Sequence, residues 1–254
     1  MSTKASAFVS FTASAHFQSS FTKTNTICRS SNRTIFTVNN QRSIHTSKYS
    51  PTMLNNLFGT RKQRDSQWDK ISTVPGEAAT FGAGCYWGTE KFFAKDFEKK
   101  YPGSIIATAV GFMGPKGAKE NPTYYEVCMG ATGHVEVLQI KYDPAKCSFE
   151  DLCKFFFTFH DPTTINRQGN DRGTQYASVI FAHNDEQVKI AQKVKTELQE
   201  LIDKKALTCF TDPKVATAIV PATTFYPAHE EHQLYLENNP MGYCNHGIRF
   251  EWKE

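Results

Sequence analysis

The first 64 residues of this 254-residue chain contain no Asp or Glu. Six basic residues (Lys4, Lys23, Arg29, Arg33, Arg42 and Lys48) and 19 Ser or Thr fall in the first 50 positions. Basic, hydroxyl-rich, acid-free sequence has the composition of a mitochondrial transit peptide rather than of a packed core. The stretch Arg42-Ser43-Ile44-His45-Thr46-Ser47 resembles a matrix-processing signal, with cleavage expected near 43–52. No uninterrupted apolar core follows Met1, which disfavours a secretory signal. The expectation is therefore a disordered transit peptide over 1–51, a linker over 52–75, and a mitochondrial matrix location. Met53 offers a start for a shorter, cytoplasmic form. Without the six N-terminal cations the formal charge falls from +4 to −2. That leaves no basic stripe to neutralise phosphates, so no nucleic-acid partner is expected.

Other absences narrow the chemistry. No run approaches the roughly 18 apolar residues of a membrane-spanning helix, and no membrane partner is expected. The seven cysteines (Cys28, Cys85, Cys128, Cys147, Cys153, Cys209 and Cys244) are odd in number and form no Cys-x-x-Cys pair. A disulfide scaffold and a zinc ribbon are both excluded by that spacing. His229-Glu230-Glu231-His232 lacks the His-Glu-x-x-His spacing of zinc proteases and reads as surface or structural residues. No Gly-rich phosphate loop follows a strand. No metal and no bound cofactor is expected.

Patterned sequence starts near residue 76. Ala78–Ala83 reads as a strand, Trp87–Lys99 as a helix with Phe92, Phe93 and Phe97 on its apolar side, and Ile105–Phe112 as a β-branched strand. Residues 113–123 form a Gly/Pro/Lys loop. Along His134–Tyr142, Glu136 shares a face with Leu138, Ile140 and Tyr142. Ser148 with Asp151 can cap an aromatic helix running to Phe159. A polar, Gly-containing stretch (161–175) precedes a strand over Tyr176–Ala182, and Asn184 caps a long amphipathic helix to about Lys205. Thr217–Val220 reads as a strand and His229–Leu236 as a short helix. This order implies an α+β fold: a two-layer sandwich whose ferredoxin-like (split βαβ) sheet is covered by helices. It occupies 76–254 as one domain, with a mobile C-terminal tail from about 238.

Cys85 lies between a strand end and a helix start, flanked by Gly84 and Gly88. Helix N-terminal N–H groups stabilise a thiolate, so the expectation is a lowered pKa and a reactive sulfur. Local sequence leaves the alternative of a buried core cysteine open.

A wider set of blocks extends the reading. Gly84-Cys85-Tyr86-Trp87-Gly88 resembles the Gly-Cys-Phe-Trp-Gly signature of the A-type peptide methionine sulfoxide reductases. So do Asn121-Pro122-Thr123-Tyr124, Gly133-His134-Val135-Glu136, His160-Asp161-Pro162, the run from Arg167 to Tyr176, and Asn239-Pro240-Met241-Gly242-Tyr243-Cys244. They follow the family's order and span about 76–247.

The resemblance implies a reductase of the S epimer of methionine sulfoxide, free or in proteins. Cys85 would attack the sulfoxide sulfur and Glu136 would donate the proton. Tyr124 and Tyr176 would bind the sulfoxide oxygen, and Asp171 would order that polar cluster. Trp87 and Tyr86 would wall the methyl group, with Tyr86 standing where the family usually has Phe, a change expected at the pocket rim. The Cys85 sulfenic acid would condense with Cys244 to a disulfide. No cysteine follows Cys244, so the disulfide would pass directly to thioredoxin, the expected partner. Glu136 supports its role independently, because an otherwise apolar strand face raises a carboxyl pKa. Three rivals stay in view. A B-type reductase lacks support because the paired Cys-x-x-Cys motifs are absent. A thiol peroxidase leaves Glu136 and the tyrosines unexplained, and a binding module without turnover leaves Cys85, Glu136 and Cys244 unexplained. A monomer is expected.

Overall fold

The computed structural model describes residues 68–253; the expected transit peptide and residues 52–67 of the expected linker lie outside the described residues. Strands β1 (Glu77–Ala83), β2 (Ile105–Met113), β3 (Val135–Tyr142), β6 (Ser178–Ala182), β7 (Ala218–Pro221) and β8 (Phe225–Pro227) form one mixed sheet in the order β7-β6-β1-β3-β2-β8. The pairs β6–β1, β1–β3, β3–β2 and β2–β8 are antiparallel, and β6–β7 is parallel. A two-residue hairpin, β4 (Arg167–Gln168) with β5 (Asp171–Arg172), stands apart from it. The architecture is α+β.

Strand alternation sends one row of side chains toward the helices. Phe81 lies opposite Leu138 on one side and Ile180 on the other, so the three share a face. Phe81 stacks on Phe93, Phe149 and Phe156 with ring centroids 5.2, 6.1 and 5.1 Å away. Those rings come from α1 (Tyr86–Lys91) with its continuation, and from α4 (Phe149–Thr158). The long helix α5 (Asp185–Asp203) adds Ala191, Val194 and Leu198 to the same core. The opposite face carries a smaller apolar group: Met113, Val135, Val137, Val179 and Phe181.

Local signals account for much of this. Ser148 and Asp151 form a reciprocal capping box at α4, and Asn184 accepts the Gln187 N–H at 2.9 Å to start α5. Other expectations needed revision. The first helix does not stay α: it widens into a π segment over Phe92–Phe97 before α2 (Glu98–Lys100). In that wider turn residues five apart come nearly into line, so Phe92 and Phe97 are both buried. Tyr176 ends a 3-10 turn (Thr174–Tyr176) instead of starting a strand. A short helix α3 (Tyr124–Cys128) follows the 113–123 loop, capped by Thr123 and Glu126.

The single helix expected over His229–Leu236 is two pieces, a 3-10 turn (Glu230–His232) and α6 (Tyr235–Asn238). Leu234 separates them in the left-handed conformation, φ 50°, which costs a non-glycine residue about 1 kcal/mol. Its N–H donates to Glu90 Oε2 at 2.6 Å. A distant carboxyl therefore holds the break.

Candidate active site

Cys85 is the N-cap of α1, the first residue after the β1-to-helix turn at Gly84. Gly84 has φ 90°, and a Cβ there would collide with Gln168; only glycine passes the chain through this corner without strain. Cys85 as a residue is half-buried and in no disulfide, while its thiol is largely desolvated. Burial, then the charge of Glu136, raise its pKa well above the ordinary thiol value, outweighing the backbone N–H groups of Trp87 and Gly88. The lowered pKa expected from the helix start is therefore wrong for the resting site. Desolvation outweighs the helix terminus.

Glu136 projects from β3 on the helix side of the sheet and is 2% exposed. It accepts the N–H of Tyr86 at 3.2 Å, which ties the carboxyl to the residue next to Cys85. Burial pushes its pKa up to about 8, with Asp171 adding to the rise and the Tyr86 N–H opposing it. A carboxyl in this state holds its proton at neutral pH and can release it to a bound oxygen. Once Glu136 is neutral, its repulsion of a Cys85 thiolate also disappears.

Three tyrosines surround this pair. Tyr124 begins α3, half-open to solvent, with its hydroxyl hydrogen-bonded to the Cys128 thiol. Tyr176 ends the 3-10 turn after β5, and burial raises its hydroxyl pKa, with Glu136 and Asp171 adding to the effect. Tyr86 is 1% exposed, so its ring belongs to the core and not to a rim. Its hydroxyl has no hydrogen-bond partner among the described residues. The ring tilts against Trp87 (6.4 Å) and Phe112 (5.9 Å).

Sequence reasoning missed the rest of the wall. Trp87 is stacked by Tyr235 at 3.8 Å and by His232 at 5.7 Å, and His232 also stacks on Tyr124 at 4.8 Å. His232 lies in the stretch read as surface or structural residues, and Tyr235 in the short helix expected to follow it. Among the described residues no group of three His, Cys, Asp or Glu is placed to hold a metal ion, and His232 meets aromatic rings.

Asp171 sits on β5, raised by burial, and takes hydrogen bonds from Tyr243 and from Asn245 Nδ2 at 2.7 Å. Asn245 also donates to the Gln168 carbonyl at 2.7 Å. His246 inserts its ring beside Gly84 and Gly88, bonded to the Ala83 carbonyl at 2.6 Å. A Cβ at Gly88 would collide with that ring. Cys244, free and half-buried, is two residues before this anchor and packs against the same core as Cys85. The arrangement gathers a thiol, a buried carboxyl with a raised pKa, two phenols, an aromatic wall and a second thiol on a pinned segment. Attack on a polarised sulfur with proton delivery to its oxygen needs these groups.

Comparison with known proteins places the chain in a family. The family model described as peptide methionine sulfoxide reductase matches residues 77–254. The chain is 48% identical over 168 residues to the peptide methionine sulfoxide reductase MsrA of Methanothermobacter thermautotrophicus, covering 66% of this chain and 90% of that one. It is 39% identical to peptide methionine sulfoxide reductase A4, chloroplastic, of Arabidopsis thaliana over 198 residues, covering 72% of this chain and 70% of that one. The crystal structure of Mxr1 from Saccharomyces cerevisiae in reduced form matches with TM-score 0.59 at 40% identity, covering 68% of this chain and 92% of that one. The chain belongs to the peptide methionine sulfoxide reductase family, A type, and is an oxidoreductase acting on methionine sulfoxide.

Proposed function

We propose that the chain reduces the S epimer of methionine sulfoxide, free or within oxidised proteins, by thiol attack and disulfide recycling. The observation that carries this is Glu136, buried and hydrogen-bonded at the helix start beside Cys85, where burial raises its pKa to about 8. Trp87 and Tyr86 receive the methyl group on aromatic faces, where sulfur and methyl groups pack favourably. Tyr124 and Tyr176 donate to the sulfoxide oxygen, and Asp171 with Asn245 and Tyr243 orders the polar side. Cys85 Sγ attacks the sulfoxide sulfur, Glu136 protonates the oxygen, and the oxygen ends on Cys85 as a sulfenic acid while methionine leaves. Cys244 then attacks that sulfur, forming the Cys85–Cys244 disulfide and releasing water. Thioredoxin reduces the disulfide. Movement of the segment from 238 to 244 brings the second thiol in, with His246 as its fixed end.

The order β6-β1-β3-β2, with helices α1 and α4 on one face, supports reading the sheet core as a ferredoxin-like split βαβ unit extended by β7 and β8. The acid-free N-terminal composition supports targeting of 1–51 to the mitochondrial matrix. Imaging of the tagged full chain tests it; plastid import, which the Arabidopsis relative's name brings into view, or retention in the cytoplasm would reject it.

The deciding assay supplies each epimer of a blocked methionine sulfoxide, and hydrogen peroxide, under thioredoxin recycling. Turnover of the S epimer is expected, and its absence would end the proposal. Faster turnover of peroxide would instead favour the thiol peroxidase. Cys244→Ser should release about one equivalent of methionine and then stop with thioredoxin; sustained turnover by that variant would assign resolution to another thiol.

A further inference from the structure

Glu90 is 2% exposed and has no part in the chemistry above. It lies on α1 three residues after Trp87, on the same side of the helix. One carboxyl oxygen accepts the Leu234 N–H at 2.6 Å and the other the Thr108 hydroxyl at 3.2 Å. Leu234 is the left-handed residue between the turn bearing His232 and the helix bearing Tyr235. Those two rings stack on Trp87 at 5.7 and 3.8 Å. Gln233 fixes the same segment to the sheet, accepting the Val110 N–H and donating to the Val110 carbonyl, both at 2.9 Å. One short helix thus carries both the tryptophan and the carboxyl that holds the opposing rings in place.

We propose that Glu90 is a positioning residue for substrate binding: by clamping the strained Leu234 turn, it sets His232 and Tyr235 against Trp87 and gives the methyl-binding wall its shape. This rests on the reading that Trp87 meets the substrate methyl group. The carboxyl acts as a hydrogen-bond acceptor, so an amide oxygen of the same shape can replace it, while its loss frees a turn that a leucine does not adopt unaided.

The test compares Glu90→Ala with Glu90→Gln. Steady-state kinetics on a sulfoxide peptide give KM and kcat. Near-ultraviolet circular dichroism, after subtraction of the Trp87→Phe spectrum, reports the Trp87–Tyr235 stack without substrate. E90A should raise KM about tenfold with kcat changed less than about threefold, and should lose the Trp87 signal while keeping its far-ultraviolet helical spectrum. E90Q should restore both readouts to within about twofold of the unmodified chain. An E90A variant with the original KM and Trp87 signal overturns the proposal. So does a fall in kcat at constant KM, or an E90Q variant that behaves like E90A. Should E90A not fold, Tyr235→Leu must raise KM alone by a similar factor, and an unchanged KM overturns the proposal. If the unmodified chain reduces no sulfoxide, the functional reading fails, while the Trp87 signal still decides whether Glu90 holds the stack.

Discussion

Two carboxyls are buried against helix α1 to the same depth, 2% exposed, yet they are held differently. Glu136 comes from the neighbouring strand and takes one backbone N–H at 3.2 Å. Glu90 belongs to the helix itself and takes a backbone N–H at 2.6 Å plus a threonine hydroxyl. Desolvation raises both, to about 8 for Glu136 and about 7 for Glu90, where two donors oppose it. Burial with a single, longer hydrogen bond leaves a carboxyl whose pKa lies above neutral. Burial with well-placed donors makes a strut, because each donor restrains the carboxyl and favours its charged form.

Removing the acid breaks the comparison most severely. Glu136→Gln should slow the single-turnover release of methionine by about 10²–10⁴-fold, whereas E90Q should leave that rate near its original value. The pH profile follows from the same group. A raised carboxyl pKa keeps the acid form up to about 8 and loses it as pH rises through that value, so the rate should fall about tenfold per unit beyond it. Rapid-quench measurements on both variants check this; an alkaline fall retained in E136Q would assign the limb to another group.

Stability separates the two carboxyls next. Their unfolded-state pKa is that of an ordinary Glu, so each contribution is fully present below about pH 4.5 and is lost as pH rises toward the folded value. Between pH 5 and 9 the loss should be about 4 kcal/mol through Glu136 and about 3 kcal/mol through Glu90. The Glu90 loss should level off above pH 7 and the Glu136 loss above pH 8. Urea unfolding across that range, with E136Q and E90Q each removing its own part, tests the assignment; identical curves for the two variants would refute it. The smallest effect concerns the neighbour of Glu136. Tyr86→Phe removes a buried hydroxyl without a described partner and should stabilise the fold by about 1 kcal/mol. A destabilised Y86F in the same unfolding assay would mean that this hydroxyl is satisfied.

Legibility in the sequence follows the range of the forces involved. The first three strands match their expected bounds within a residue, because alternation and flanking breakers are local. The capping signals at Ser148 and Asn184 are local too, and both are realised. A third such signal, Thr123-x-x-Glu126, was present before Tyr124 and would have located α3. The break at Leu234 has no glycine or proline to announce it, since the hydrogen bond that fixes it comes from a residue 144 positions away. For the same reason neither His232, read as surface or structural, nor Tyr235 was expected against Trp87, where the fold stacks both. The burial of Glu136 was legible because Leu138, Ile140 and Tyr142 on the same strand face are apolar. The Cys85 pKa was not: its helix terminus is a local feature, but its desolvation depends on everything packed around it.

The ring of His246, seated where Gly88 has no side chain, also fixes a length. A chain of two residues spans at most ~7 Å, so the Cys244 backbone can travel only that far from its pivot beside Gly84. The second thiol is therefore kept on a short leash. Its local abundance at the first sulfur is a matter of geometry rather than of how much protein the solution contains. On the proposed mechanism, a sulfenic acid on Cys85 would meet this internal thiol before a dissolved one, which would shield the sulfur from further oxidation.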